Sequence, residues 1–407
     1  MRILWVATKT PSPPVDGGRL VSLLTLEALR AHGHELTVVS PIDPDAADRP
    51  AIASRLEGVG RLVLVPARPS VLAWAALRTA LGATPLTVLR HSLSGVRDAV
   101  TRLLSREAFD IVHAEQPQAV AQVVEAGRRA IPVVLRFQNV ESDLWQGASR
   151  TAGRLRPILA REARRLAAWE GRAVREAAAT VALSAYDAAR LVELSGAADR
   201  VHHVPAPFPA PLPPASKPLP GAPAVVLFGS GGWRPNEEGA RWFLEKVWPR
   251  VRAALPGAAL HVPGVPVASS EGVLGRPAPA DSRELFAEGS VLAVPLHVAS
   301  GVRMKILEAW ARGVPVVSTP AGAQGLDATD GHELLLARDP EAFALALRRL
   351  HAEPGLAEFV AAAGRRRLAA HHEPGAVAER LTEVYARALE CAPRHPTPGH
   401  TRALLVS

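Results

Sequence analysis

The sequence predicts an α/β protein of two domains, each a mostly parallel sheet covered by helices. Three observations predict it. At 407 residues the chain exceeds what one core ordinarily serves, and two domains of roughly 200 residues follow. Short apolar runs alternate with helical segments along its length, and hydrophobic residues make up 48%, enough to fill buried sheets. Near the middle, prolines crowd residues 201–223, where neither helix nor central strand can form. The predicted organisation is a first domain over 1–203, an extended linker over 204–223 and a second domain over 224–372. A final helix over 373–392 and a disordered tail over 393–407 close the chain.

The composition excludes several classes. A single cysteine, Cys391, rules out a disulfide framework and a cysteine metal cluster, and no His/Asp/Glu group has metal-ligand spacing. The opening run Met1–Ala7 is too short for a signal peptide, and no stretch of about 18 uncharged apolar residues occurs. A cytoplasmic protein without a membrane span is expected. The net charge of +8 is uneven. Residues 1–205 carry 26 Lys/Arg against 20 Asp/Glu, which leaves +2 for the rest. Over 150–176, Arg150, Arg154, Arg156, Arg161, Arg164, Arg165, Arg172 and Arg175 meet only Glu162, Glu170 and Glu176. A basic amphipathic helix of this kind rests on the inner face of an anionic membrane or holds an acidic acceptor. A solvated face in an arginine-rich chain is the plainer alternative. No nucleic-acid-binding module is visible, and no nucleic-acid partner is expected.

In the first domain, residues 2–7 form a strand and Thr8–Gly18 a loop. The helix after it carries Leu20, Leu23, Leu24, Leu26 and Leu29 at its apolar positions. Glycines at a strand-to-helix turn let the backbone approach a phosphate that a Cβ would block, which makes Gly17 and Gly18 candidates; a plain tight turn is the alternative. Gly33 and the strand 35–40 complete a βαβ unit, with His32 and His34 read as cap residues. A strand at 61–66 and a mainly helical stretch over 70–105 come next. The strand 110–113 delivers His113 and Glu115 to its C-terminal end, a place that suits an acceptor pocket or a satisfied structural histidine. A strand from Pro132 then runs into Gln138, Asn139 and Glu141. The basic helix 150–178 precedes the strand 180–183.

The second domain opens with a strand at Ala224 and the run Gly229-Ser-Gly-Gly-Trp-Arg-Pro-Asn. This is no full Gly-x-Gly-x-x-Gly, and no suitably spaced acid ends the next strand at 258–263, which disfavours a dinucleotide fold. Asn236 is expected to cap a helix whose first-turn Glu237 and Glu238 repel a phosphate. A strand at 273–276 and a short helix over 281–287 lead to the stretch 291–323. It reads as a strand (291–295), a loop ending at Gly301, a helix to Arg312 stopped by Gly313, and a strand (315–318). That makes a parallel βαβ unit. Its helix opens where the first strand ends, at the sheet edge where ligands bind, and its free amides favour an anion. Arg303 and Lys305 add two cations, and Glu308 lies on the same side of the helix. Cations with one carboxylate suit a ligand carrying phosphate and sugar hydroxyls. A strand at 333–336 and helices over 340–352, 356–371 and 373–391 complete the reading.

The run Ser300-Gly-Val-Arg-Met-Lys-Ile-Leu-Glu-Ala-Trp-Ala-Arg-Gly-Val-Pro-Val-Val resembles the donor-site segment of retaining GT-B glycosyltransferases of the GT4 type. The resemblance implies two Rossmann-like domains facing across a cleft, with the C-terminal helix crossing back to the first. It implies that Arg303 and Lys305 contact the diphosphate of the donor. Glu308 would hold the nucleotide ribose as the second glutamate of an E-x7-E motif, and Ser300 stands in place of the first. His297, Gly301 and Val302 share that implied donor site. So do Gly229 and Arg234, since Trp-Arg-Pro-Asn with Trp242-Phe243 is also similar to the family's wording. In the first domain the family carries a Gly-Gly loop facing the donor, which Gly17-Gly18 match. The Gln138-Asn-Val-Glu-Ser run is similar to the family's His-Asn-Val-Glu-Ser, with Gln138 in the histidine's place. Asn139 and Glu141 match it and, with His113 and Glu115, are assigned to the acceptor side.

The activity implied is transfer of a sugar, with retention, from a nucleotide-diphosphate sugar to a glycan, lipid-linked or small-molecule acceptor. No metal or other cofactor is expected, and the leaving phosphate takes the acceptor proton. Two other readings stand beside it. Ser300 and Gln138 suit a non-catalytic sugar-nucleotide binder. A sugar-nucleotide epimerase of the same fold would need a titrating group, for which His113, Glu115 and His297 are the candidates.

Overall fold

The computed structural model describes all residues except 46–48, 72–74, 76–78, 80–81, 83, 230–231 and 392–407, together with the side chains of 127 and 128. Parts of the helical stretch 70–105, two residues of the glycine run and the tail 393–407 lie outside the described residues. The chain divides into two compact units, Met1–Pro207 with the helix Pro374–Cys391, and Phe208–Glu373.

Among its described residues the first unit holds seven strands: β1 (Arg2–Val6), β2 (Glu35–Ile42), β3 (Arg61–Pro66), β4 (Ile111–Glu115), β5 (Val133–Phe137), β6 (Ala179–Ala182) and β7 (Val201–His203). They pair in the order β3-β2-β1-β4-β5-β6-β7, and every pairing is parallel. β7 takes up residues 201–203 at the sheet edge, just ahead of the prolines that forbid a ladder. Central strands are mostly apolar because helices cover both faces, with the buried His113 and Glu115 of β4 as departures. Arg136 is the exception within β5 (Val-Val-Leu-Arg-Phe).

Among its described residues the second unit repeats the plan with six strands: β8 (Ala224–Val226), β9 (Ala259–Pro263), β10 (Val273–Arg276), β11 (Ser290–Val294), β12 (Val316–Ser318) and β13 (Leu335–Leu336). Their order is β10-β9-β8-β11-β12-β13, again all parallel. In both sheets the strand order reverses beside the first strand, between β1 and β4 and between β8 and β11. A doubly wound sheet binds ligands in the crevice that such a reversal opens at the C-terminal ends of its strands.

Residues 208–222 form no helix or strand, and they are tied to the second unit. Leu212 N donates to Ala311 O (3.0 Å), Ala215 N to Phe286 O (2.8 Å) and Ala222 N to Gly257 O (2.8 Å). The C-terminal helix Pro374–Cys391 turns Val377, Ala378, Leu381, Val384, Tyr385 and Ala388 inward, at the spacing of one helical face. That face packs against the core built from Ile3, Trp5, Leu26 and Leu29 of the first unit. Among the described residues no helix is long and apolar enough to cross a membrane.

Candidate functional site

The second unit's switch point lies between the loop after β8 and the loop after β11. The helix that follows β11 runs from Met304 to Arg312, with Arg303 at its N-cap and no capping side-chain bond. Gly301 (φ 76°) and Gly313 (φ 72°) bracket it in the left-handed region, where other residues are strained. Gly313 ends the helix as its C-cap.

Both cations at the helix mouth are engaged by main chain. Lys305 is half-buried, and its ammonium donates to the Phe228 carbonyl just beyond β8 and to Asn236 Oδ1 (3.2 Å). Burial, reinforced by the charge of Arg303, lowers its pKa to about 7. Arg303 donates to Ser300 O and lies over the Trp233 ring, 5.6 Å from its centroid. Glu308 is 6% exposed. Its Oε1 accepts from Ser282 Oγ (2.6 Å) and from Arg312 Nε and Nη2 (3.1 and 3.0 Å), which leaves Oε2 without a partner among the described residues. Val302 is half-buried and Ser300 buried. His297 is exposed and meets Trp242 edge-on at 4.7 Å.

The glycine loop differs from expectation at one place. The helix after it starts at Arg234, with Trp233 as N-cap and Pro235 in the first turn, so Asn236 sits inside and caps nothing. Proline is pre-shaped for a first turn and takes the start of the helix. Asn236 instead packs over Gly229, where a Cβ would lie 2.5 Å from its amide, and presents Oδ1 to Lys305. Arg234 is paired with Glu238 at 2.6 Å. Glu237 accepts from Gly232 N (3.0 Å).

In the first unit Gly17 and Gly18 form the first turn of the helix Gly17–Ala31 and do not belong to a loop, because Asp16 caps it by accepting from Arg19 N (2.9 Å). Gln138 reaches this turn from the end of β5. Its Nε2 donates to Gly18 O (3.0 Å), Ser22 Oγ (3.1 Å) and Glu115 Oε1 (2.5 Å), and its Oε1 accepts from Gln116 Nε2 (2.8 Å).

Two residues assigned to an acceptor pocket lie instead inside the fold. His113 is 0% exposed, stacks on Trp5 at 3.8 Å, and has both ring nitrogens bonded, to Glu115 Oε2 (3.1 Å) and Tyr385 OH (2.8 Å). Glu115 is 2% exposed and paired with Arg136, Nε to Oε2 2.8 Å and Nη2 to Oε1 3.0 Å. Burial pulls its pKa up, but Arg136 and His113 hold it at about 2. Burial outweighs Glu115 at the histidine and lowers His113 to about 4. Neither presents a free atom to a ligand, because Tyr385 takes the remaining nitrogen of His113 and Arg136, Gln138 and Ser22 cover the Glu115 carboxylate.

Asn139 is half-buried in the turn before the helix Glu141–Arg150. Glu141 accepts from Gln118 Nε2, and burial raises its pKa. Its backbone N–H, with that of Ser142, is held by Glu170 Oε1 (2.8 and 3.4 Å). Arg136, Tyr385, Glu170, Ser282 and Arg312 escape the sequence reading. A charged residue inside an apolar strand was the available signal for Arg136; the others come together only through the fold.

Two doubly wound parallel sheets, with polar residues gathered at each switch point, define an α/β protein of GT-B type. The glycosyl transferases group 1 family matches residues 222–353, and the glycosyl transferase 4-like domain matches residues 16–207. The chain belongs to the GT4-type glycosyltransferases. Sucrose-phosphate synthase from Thermosynechococcus elongatus is 17% identical with a TM-score of 0.71, covering 96% of this chain and 99% of that one. HepE from Anabaena in complex with UDP is 15% identical with a TM-score of 0.66, covering 95% and 100%. TarM is 8% identical with a TM-score of 0.65, covering 94% and 98%. At such identities the likeness is one of fold. A comparison with curated proteins found no match.

Proposed function

We propose that this glycosyltransferase moves a sugar, with retention, from a nucleotide-diphosphate sugar to a hydroxyl acceptor. The observation that carries the reading is Lys305, whose ammonium is drawn to a main-chain carbonyl at the switch point of the second sheet. A diphosphate arriving there exchanges weak carbonyl contacts of Lys305 and Arg303 for charge-assisted bonds. The amides of Met304 and Lys305, which precede the first helical bond of the Met304–Arg312 helix, add to them. Glu308, steadied by Arg312 and Ser282, keeps Oε2 for a ribose hydroxyl. HepE, which shares the fold, is solved with UDP and with UDP-glucose, in support of a sugar nucleotide as donor. As the glycosidic bond breaks, the diphosphate gains charge, and fixed cations are worth most at that moment. The departing phosphate oxygen takes the acceptor proton. Protein groups meet the charge in this reading without a metal; among the described residues no group of three or more His, Cys, Asp or Glu suits one.

Incubation with a panel of nucleotide sugars, with and without sugar and lipid-linked acceptors, tests the proposal. Nucleoside diphosphate release with a product that keeps the donor's anomeric configuration supports it. Binding without release points to a non-catalytic binder, and an inverted product removes the retaining mechanism.

We also propose that the acceptor is met at an anionic lipid surface. Leu155 and Ile158 stand 58% and 63% exposed, among the exposed Arg150, Arg154, Arg156, Arg161 and Arg164. Aliphatic tips ringed by arginine suit the boundary of headgroups and acyl chains. Co-sedimentation with phosphatidylglycerol vesicles and not with phosphatidylcholine vesicles is expected, and is lost in Leu155→Asp/Ile158→Asp. Equal sedimentation with both vesicle types, or with neither, rejects the surface.

A further inference from the structure

The buried polar groups of the first unit form one unbroken chain from the C-terminal helix to the mouth of the Gly17–Ala31 helix. At one end Tyr385 OH lies 2.8 Å from His113 Nδ1. His113 Nε2 lies 3.1 Å from Glu115 Oε2, and Glu115 Oε1 accepts from Gln138 Nε2 at 2.5 Å. Gln138 then donates to Gly18 O and Ser22 Oγ and accepts from Gln116 Nε2 (3.0, 3.1 and 2.8 Å). Gln116 in turn accepts from Thr8 Oγ1 (2.6 Å), in the loop after β1.

The chemistry of the groups fixes the direction of every bond. Glu115, ionised beside Arg136, only accepts, so His113 must donate from Nε2. A neutral imidazole with its proton on Nε2 has an acceptor at Nδ1. Tyr385 therefore donates; burial pushes its phenol pKa up and keeps that proton in place. Stacking on Trp5 holds the His113 ring, and the bond from Arg136 Nη1 to Thr25 Oγ1 (2.7 Å) holds the guanidinium. Glu115 is thus aimed, and its Oε1 decides which way the Gln138 amide faces. A flipped amide would set two oxygens, Gln138 Oε1 and Glu115 Oε1, against each other.

We propose that Tyr385 is a positioning residue for sugar transfer: from the C-terminal helix, through His113 and Glu115, it sets the orientation of the Gln138 amide at the helix mouth. This rests on the reading that Gln138 serves the reaction. The relay gives the C-terminal helix a task beyond closing the core, and it explains why a histidine and a glutamate with no outlet to solvent are tuned against each other. No proton moves along it; an amide at the end cannot pass one on.

Two measurements on the 407-residue chain test the relay. In the first, side-chain amide hydrogen exchange of Gln138 is followed by NMR in the wild type and in Tyr385→Phe, with Gln122 as an internal reference. Loss of the phenol hydrogen bond should speed Gln138 exchange by about tenfold or more, leaving Gln122 unchanged. Equal exchange in both proteins overturns the relay. In the second, kcat/KM for the donor selected by the nucleotide-sugar panel is compared in a double-mutant cycle. Tyr385→Phe should lower it about three- to tenfold in the wild type and have no effect in Gln138→Ala. The same loss in both backgrounds makes Tyr385 merely structural and overturns the proposal. A wild-type rate in Gln138→Ala overturns the role of Gln138 itself, and the exchange experiment then judges the relay alone. Melting temperatures of the variants separate either outcome from misfolding.

Discussion

Gly18 and Gln138 fit each other as glycine and cover. A Cβ on Gly18 would lie 2.5 Å from Gln138 Oε1, and the same side chain donates to the Gly18 carbonyl at 3.0 Å. The two residues are 120 apart in sequence. Their contact places a side-chain amide directly over the first turn of a helix at the switch point of the first sheet.

Gly18→Ala should therefore disturb Gln138 more than the helix. Alanine favours a helix by up to about 1 kcal/mol over glycine, but overpacking of an anchored group costs about 1–3 kcal/mol. A net loss of stability and of transfer is expected in the wild type. In Gln138→Ala, where the cover is gone, the same substitution should stabilise. Thermal unfolding of the four proteins checks the change of sign; a loss in both backgrounds would reject the contact.

Lys305→Ala should leave folding intact and lower turnover by about a hundredfold or more, since one such electrostatic contact is worth about 2.7–4 kcal/mol of barrier. Steady-state kinetics with the preferred sugar nucleotide measures it. Turnover at the wild-type level would remove Lys305 from the donor site.

The same lysine predicts proton linkage. Burial and Arg303 hold its pKa at about 7 against an ordinary 10.5. Between those values the unfolded chain binds more protons than the folded one, so this group makes stability rise with pH across that window. A bound diphosphate favours the ammonium and reverses the shift. Binding of the nucleoside diphosphate released from the preferred donor should then, above about pH 7, take up a proton and weaken as pH rises. Calorimetry in two buffers of different ionisation enthalpy reads the uptake directly, and a null result at pH 8 rejects the linkage.

Glu170 gives the opposite sign. Buried and close to Glu141, with Ser142 Oγ at 2.5 Å, its pKa is raised to about 8 from 4.5. The folded state binds the extra proton, so stability from this group is full below about pH 4.5 and is lost as pH rises through 8. Glu170→Gln keeps the acceptor for the Glu141 and Ser142 amides and cannot ionise. It should match the wild type in acid and exceed it by at least about 1 kcal/mol at pH 9. Unfolding midpoints against pH decide.

Much of this was legible in the chain. Alternating apolar runs and helical segments gave two parallel-sheet units, because period and length set secondary structure locally. Gly313 and Gly301 announced the ends of a loop and a helix, because backbone conformation there belongs to single residues. The placement of Arg303, Lys305 and Glu308 around one helix start follows from helical spacing alone. What the spacing left open was decided by packing. His113 and Glu115 sit at the end of a strand, as expected, but Tyr385 arrives from 272 residues away to close over His113, while Arg136 and Gln138 close over Glu115. Asn236 has a capping residue's identity, yet Pro235 had already begun the helix, and Asn236 was left to steady Lys305. Whether a polar side chain meets a ligand or another residue depends on what the fold brings over it, and that partner is distant in sequence.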